Sequence, residues 1–410
     1  MDFTMPEAVI VSTARSPIGR AVKGSLKDLR PDDLAAQMVL AALGKVPEID
    51  PRTINDLMLG TAQPAGESGY NLGRAVGVLA GMDHLPGVTV NRYCSSSLQT
   101  TRMALHAIKA GEGDIFISAG VETVSRFGKG MADENPDTHN GVFADAESLT
   151  LKRADGSGDA WADPRDLGAL PDLYITMGQT AENVAEISGV SRREQDEFGV
   201  RSHNRAEAAI ENGFFAREIT PVTLPDGTVV DTDDCPRPGT TYEKVSTLKP
   251  AFRPDGTVTA ANACPLNDGA AALIVMSDVK AKELGLTPLA RIVSTGVSGL
   301  SPEIMGLGPV EATQRALEIA GMNINDIDLV EINEAFAAQV IPSARELGID
   351  HDRLNINGGA IALGHPFGVT GARIATTLIN SLQFHDKQFG LETMCVGGGQ
   401  GMAMILERLS

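Results

Sequence analysis

Short apolar runs broken by glycine-bearing turns organise both ends of the chain. Ala8-Val9-Ile10-Val11 reads as a strand closed by the Ser16-Pro17-Ile18-Gly19 turn. Leu34 to Leu43 carries apolar residues at helical spacing and stops at Gly44. Leu57-Met58-Leu59 and Val88-Thr89-Val90 are two further strands, the second leading straight to Cys94. Ser95 to Ala110 reads as a helix with Leu98, Leu105 and Ile108 on one face and Gly111 as its stop. Ile115 to Ala119 is a buried strand. The last third repeats this plan. Asp328 to Ile332 and Leu354 to Asn357 read as strands, a helix runs from about Thr370 to Leu382, and Met394 to Val396 pairs with Met402 to Leu406. In each half a strand ending in Asn (Asn91, Asn357) precedes a small-residue turn and a helix, and a later strand enters a glycine turn (Gly120, Gly397). Duplicated βαβ units with right-handed crossovers are expected to give two similar domains.

The stretch from Ser125 to Cys264 differs. It is rich in Asp, Pro, Gly and polar residues, with a helix pair at Thr180 to Ile187 and Arg192 to Glu211, the second capped by Ser191 with Glu194 three residues on. Such an excursion inside a repeated fold suits substrate binding or oligomerisation better than a linker; for residues 131–160 disorder is the competing reading. The boundaries are therefore residues 1–124 with 265–284 for the first core, 125–264 for the insert and 285–410 for the second core.

Composition narrows the class. The chain has 410 residues, 42% of them hydrophobic, which suffices for a large core of two or three domains. Aromatics are only 4% against 44 glycines, so backbone elements pack closely, as in layered α/β proteins. The net charge of −19 disfavours nucleic acid and anionic membrane as partners, and an anionic substrate would need a local basic patch. No apolar run approaches the roughly 20 residues of a membrane span. The start lacks a signal-peptide pattern and the end lacks a peroxisomal address, so a cytoplasmic location is expected. None of the four cysteines is paired at C-x-x-C spacing, which argues against structural zinc and a disulfide framework.

Two of those cysteines and one histidine carry the chemistry. Cys94, in Tyr93-Cys94-Ser95-Ser96-Ser97, follows a strand and starts a helix, whose N-terminus is expected to lower a thiol's pKa. An inert core cysteine is commoner in general, but small polar neighbours favour a nucleophile. His365 lies in Gly358-Gly359-Ala360-Ile361-Ala362-Leu363-Gly364-His365-Pro366, a setting that suits a base or an oxyanion donor. Cys395 opens Cys395-Val396-Gly397-Gly398-Gly399, whose N–H groups could hold an oxyanion. The glycines lack the spacing and the downstream βαβ unit of a dinucleotide loop. Asn333, at a strand end, reads equally as a water-holding residue or a helix N-cap.

Taken in order, these segments resemble the thiolase family (acetyl-CoA acetyltransferases and 3-ketoacyl-CoA thiolases) over essentially the whole chain. Further matching stretches are Arg15 to Arg20, Met177-Gly178-Gln179-Thr180-Ala181-Glu182-Asn183, Asn267-Asp268-Gly269-Ala270-Ala271 and Asn333-Glu334-Ala335-Phe336. The resemblance implies a thiolase-like α/β fold of duplicated βαβ domains in a layered α-β-α-β-α core, with an inserted loop domain. It implies Cys94 as acyl-accepting nucleophile and His365 as its activator, forming one oxyanion hole with a water held by Asn333. Cys395 would be the acid/base at the α-carbon, and the N–H groups of Cys94 and Gly397 a second hole. The insert would bind coenzyme A, a substrate here rather than a bound prosthetic group. Arg237 aligns with a nucleotide-contacting arginine, Met177 lies beside the acyl and pantetheine path, and Cys264 stands at a pantetheine-contacting position. No metal or redox cofactor is implied, and a homodimer or homotetramer is expected.

The chemistry agrees with that resemblance. Breaking a C–C bond beside a thioester generates an enolate, and an acyl-cysteine intermediate predicts ping-pong kinetics. A −19 background requires local cations for CoA; Arg237 and Lys244 are candidates, whereas Arg253 reads as ordinary solvated surface. Departures from the family pattern are Ser97 for glycine, Cys264-Pro265 for Ser-Gly, Phe367 for a smaller aliphatic, and Thr176 where acetoacetyl-specialised relatives often carry histidine. The last favours cleavage of 3-ketoacyl-CoA over condensation of two acetyl-CoA. The rivals are a decarboxylating ketoacyl synthase, which needs no second cysteine, and a non-catalytic acyl-CoA-binding subunit.

Overall fold

The computed structural model describes residues 5–133 and 137–410. The first part of the chain supplies strands β1 (Ala8–Arg15), β2 (Gly19–Arg20), β3 (Asp56–Gly60), β4 (Gly87–Val90) and β5 (Ile115–Thr123), with helices α1 (Pro31–Gly44), α2 (Leu72–Leu79) and α3 (Ser96–Ala110). The middle supplies α4 (Ala144–Ala154), α5 (Met177–Ile187), α6 (Arg192–Glu211), the hairpin β6 (Val222–Thr223) and β7 (Val229–Val230), and the single turn α7 (Tyr242–Val245). The chain then re-enters the core as β8 (Asn267–Ser277). After it come α8 (Asp278–Glu283), β9 (Ala290–Gly299), α9 (Gly308–Ala320), β10 (Leu329–Ile332), α10 (Ala337–Leu347), α11 (Ala360–Leu363), α12 (Thr370–Phe384), β11 (Phe389–Val396) and β12 (Gln400–Arg408).

Hydrogen bonding runs in the order β10-β11-β12-β9-β1-β8-β5-β3-β4. Each half holds a parallel crossover pair (β3 with β5, β10 with β11) followed by two antiparallel strands. The halves meet where Val9 and Ile10 pair with Arg291 and Ala290. Three apolar clusters fill the layers between. One packs α1 and α2 on the outer face of the first half, through Leu34, Val39 and Val76. One packs α9 and α10 on the outer face of the second, through Ala316, Val340 and Ile341. The third holds α3 and α12 between strands of both halves, with Leu98, Ile108, Ile374 and Leu378 against Leu273, Met394 and Met404. The result is the layered α-β-α-β-α arrangement.

The two central helices cross closely. A methyl on Gly371 would lie 2.4 Å from Leu98 N, so only glycine permits this approach. Both helices start at loops carrying proposed site residues, and their crossing brings Cys94 and His365 to the same end of the molecule. The capping box of α6 is present, with Ser191 and Glu194 exchanging bonds. Residues 144–154, inside the stretch read as either insert or disorder, form α4; residues 134–136 lie outside the described residues.

Two expectations differ from the structure. Leu354 to Asn357 is no strand: it is a turn touching the sheet through one bridge, Val330 to Leu354. Asn355 is left-handed (φ 47°), and its amide exchanges bonds with Ile332 N and O at 2.9 Å, replacing a ladder. Gly120 is not in a turn either. It lies inside β5, where a Cβ would come within 2.4 Å of Gly368 O.

Candidate active site

Cys94 sits on a 3₁₀ turn, Tyr93–Ser95, between β4 and α3. The neighbouring polar residues hold that turn: Asn91 Oδ1 accepts from Tyr93 N (2.8 Å), and Ser96 Oγ accepts from Arg92 N (2.9 Å) and donates to Tyr93 O (2.7 Å). Ser97 Oγ accepts from Ala372 N (3.0 Å), tying α3 to α12. The Cys94 thiol is buried. Burial pushes it up to about 12, against hydrogen bonds from the Gly397 N–H and its own N–H that pull it down. The expected lowering at a helix N-terminus is therefore overturned: α3 begins two residues later, and desolvation dominates.

His365 is buried, and burial with Arg373 nearby drives its pKa down to about 3, so the ring is neutral. Its Nδ1 is 2.7 Å from Thr370 Oγ1, and that hydroxyl donates to Pro366 O at 3.2 Å. With its one proton so used, Oγ1 accepts from Nδ1–H, which assigns Nε2 as the basic nitrogen. Asn333 Nδ2 lies 3.3 Å from that Nε2, and Asn333 Oδ1 is buried with no partner among the described residues.

The glycines before His365 have a packing reason. Glu334 is buried beneath them, accepting from Ser202 Oγ (2.6 Å), Asn355 Nδ2 (2.8 Å) and Ile361 N (3.1 Å); a Cβ on Gly359 would strike its carboxyl at 2.2 Å. Gly364 (φ 111°) lies against Asn267, whose Oδ1 accepts from His365 N at 2.9 Å. Glu122 braces the opposite side, accepting from Ala62 N and Gly368 N at 2.8 Å; burial raises it to about 7.

Cys395 is the next-to-last residue of β11, packed with Met305, Ala335 and Phe336. Burial and the neighbouring Cys94 and Cys264 thiols hold it well above the usual thiol range, and Cys264 is raised likewise. Cys94, Gly397, Met177 and Phe367 line one cavity of about 340 Å³, and the Phe367 ring meets His365 edge-on at 5.3 Å. The structure thus gathers Cys94, Gly397, Met177, His365, Asn333, Cys395 and Cys264 into one neighbourhood.

It leaves Arg237 and Lys244 off that cavity. Arg237 lines a smaller one of about 110 Å³ with Arg20 and His203, and its guanidinium has no partner among the described residues. Lys244 is exposed, with Nζ on Gly239 O at 2.9 Å. Arg253 is not solvated surface. Its guanidinium is 11% exposed and bonded to Asn183 Oδ1 (2.6 Å) and Gln179 Oε1 (2.8 Å), pinning the end of the insert to α5. Thr176 is the exposed N-cap of α5 and is not among the cavity's lining residues. Thr370, Glu122, Gln63, Asp133 and Tyr174 were not singled out from sequence; as single polar residues in loops and strand ends they carry no spacing signal. Among the described residues no acidic, Cys and His cluster suits a metal, and no helix is long and apolar enough to cross a membrane.

Two thiols, a neutral imidazole and inward-facing N–H groups are the parts of a cysteine-dependent acyltransferase. Residues 8–279 match the family described as Thiolase, N-terminal domain, and residues 286–408 match Thiolase, C-terminal domain. A 3-ketoacyl-CoA thiolase of Bacillus subtilis (strain 168) is 44% identical, covering 98% of this chain and all of the relative. A 3-oxoadipyl-CoA/3-oxo-5,6-dehydrosuberyl-CoA thiolase of Escherichia coli (strain K12) is also 44% identical, covering 99% and all of the relative. The crystal structure of the Bacillus anthracis acetyl-CoA acetyltransferase superposes with a TM-score of 0.85 at 39% identity, covering 99% of each chain. The chain belongs to the thiolase family. It is an acyltransferase of the kind that cleaves or forms 3-ketoacyl thioesters with coenzyme A.

Proposed function

We propose that this enzyme runs chiefly as a degradative thiolase, with 3-ketoacyl-CoA and CoA as its substrates and no prosthetic group, and with the roles assigned above by resemblance. The observation that carries this reading is geometric: Thr370 takes His365 Nδ1–H at 2.7 Å and leaves Nε2 as the base, the Gly397 N–H meets the Cys94 thiol, and the 3-ketoacyl-CoA thiolases among the relatives favour the degradative direction. Cys94 Sγ attacks the 3-keto carbon as its proton passes to His365 Nε2. The bond between C2 and C3 breaks, its electron pair goes to C2, and the Cys395 thiol protonates that carbon, releasing acetyl-CoA. The shortened acyl group stays on Cys94 as a thioester. An incoming CoA thiol gives its proton to Cys395 and attacks that thioester; Cys94 leaves and recovers its proton from His365. Asn333 Oδ1, buried and unpartnered, fits the acceptor for a water that completes one oxyanion hole with His365. The N–H of Gly397, which meets Cys94 Sγ, fits the second with the N–H of Cys94.

The uncommitted Arg237, with Arg20 and with Asp234 Oδ2 already accepting from Arg20 N and Ser25 N, supports a phosphate-binding role for the 110 Å³ cavity they line. Residues 125–264 would then form the CoA-binding insert between cores of residues 1–124 with 265–284 and 285–410. A cytoplasmic homodimer or homotetramer completes the reading. Initial rates of 3-ketoacyl-CoA thiolysis should give parallel double-reciprocal lines, and mass spectrometry should find the acyl group on the Cys94 peptide. Intersecting lines and an unmodified Cys94 would refute it.

A further inference from the structure

The relatives named for 3-ketoacyl-CoA and for 3-oxoadipyl-CoA are each 44% identical to this chain, so identity leaves the far end of the acyl group open. The cavity at Cys94 carries that information. Arg237 and Lys244, the cations proposed for CoA, do not line it. One part of its wall is apolar: Leu173, Ile175, Met177 and Phe367. Its fixed charge is Asp133. That carboxylate accepts from Gln63 Nε2 at 2.7 Å and from the Tyr93 hydroxyl. Gln63 is itself locked, its Oε1 accepting from Ala132 N (2.8 Å) and Asp133 N (3.1 Å). Asp133 therefore cannot swing away without breaking a closed set of bonds.

Among the described lining residues there is no lysine or arginine. The one histidine, His139, stacks on Tyr174 at 3.8 Å and spends Nδ1 on Glu147 at 2.9 Å, so its ring already has a carboxylate partner. A terminal carboxylate on the acyl chain would lose water, meet Asp133 and find no cation. A terminal methyl would lose nothing and gain the apolar wall.

Resting on the thiolase reading, we propose that this cavity takes an uncharged, apolar acyl tail, and that Asp133, clamped by Gln63 and Tyr93, excludes 3-ketoacyl-CoA substrates that end in a carboxylate. The test uses matched substrates that differ only at the tip: 3-ketohexanoyl-CoA against 3-ketoadipyl-CoA, and the eight-carbon pair likewise. The wild-type enzyme is expected to favour the methyl-ended member by about 100-fold in kcat/KM, the scale of an uncompensated like-charge contact. Asp133→Asn keeps an acceptor for Gln63 and removes the charge, and should shrink that ratio at least about tenfold. Because the readout is a ratio within one preparation, a loss of folded enzyme cancels. A wild-type ratio within about threefold of unity for both pairs, or a ratio unmoved in Asp133→Asn, overturns the proposal. Acetoacetyl-CoA and the methyl-ended substrates separate the two readings: if any of them is cleaved while the ratios fail, only the exclusion by Asp133 is wrong. If none of them is cleaved, the degradative reading fails and takes this proposal with it.

Discussion

Replacing Thr370 with valine tests how His365 is prepared for proton transfer. The side chain is fully buried at the first position of α12, and valine keeps its shape while removing Oγ1. What is lost is the 2.7 Å bond to His365 Nδ1, together with the weaker 3.2 Å bond to Pro366 O. A neutral hydrogen bond contributes about 1 kcal/mol, and a buried N–H left without a partner raises the cost to about 1–3 kcal/mol. The ring can recover that bond only by turning, which moves Nε2 from its present place beside Asn333 Nδ2. If the cost falls on the transition state, kcat drops by roughly 5- to 150-fold at 1.36 kcal/mol per decade. KM should change little, because Thr370 is not among the lining residues of the cavity at Cys94. The assay is steady-state thiolysis of a 3-ketoacyl-CoA, with urea unfolding as a control for stability. Thr370→Ser restores the hydroxyl and should recover most of the rate. A valine variant within twofold of wild type in kcat, or a serine variant no better than valine, would show that this bond does not position the ring.

Four further outcomes follow from the same packing. Gly371→Ala would press a methyl to 2.4 Å from Leu98 N at the α3–α12 crossing and should destabilise the protein by about 1–3 kcal/mol, seen as a lower urea midpoint at unchanged m-value. The folded-state pKa of His365 is depressed to about 3, so its contribution is complete above the unfolded value of about 6.5 and is lost as pH falls toward 3; His365→Asn should flatten that part of the stability–pH curve by up to about 1.4 kcal/mol per pH unit. Glu122 has the opposite sign: raised to about 7, it favours folding most below about 4.5 and less as pH climbs through 7, and Glu122→Gln should remove that decline. Arg237→Ala should raise KM for acyl-CoA by about tenfold with kcat held, and unchanged KM would remove Arg237 from the CoA site.

Much of the site was legible because its chemistry is local. Cys94, His365 and Cys395 each announce themselves by small neighbours, and the repeated strand-and-helix pattern placed each near the end of a core strand or helix. The terminal strands and α3 were readable from apolar runs and a glycine stop, since burial imposes those patterns on contiguous residues. Leu354 to Asn357 misled because an apolar–polar alternation is equally served by a turn in which one asparagine amide replaces a ladder.

What the chain could not reveal by itself are quantities set by residues far apart in sequence. The thiol of Cys94 looked lowered by a helix end, yet burial in the folded core raises it. The glycines before His365 looked catalytic, yet Gly359 packs against Glu334 and Gly364 against Asn267, at one remove from the reacting atoms, and Gly358 packs against Ser202 and Ala206. Local order determines which groups are present and which elements carry them. Solvation, proton position and the walls of the acyl cavity depend on what packs against those groups, and only the tertiary fold decides that.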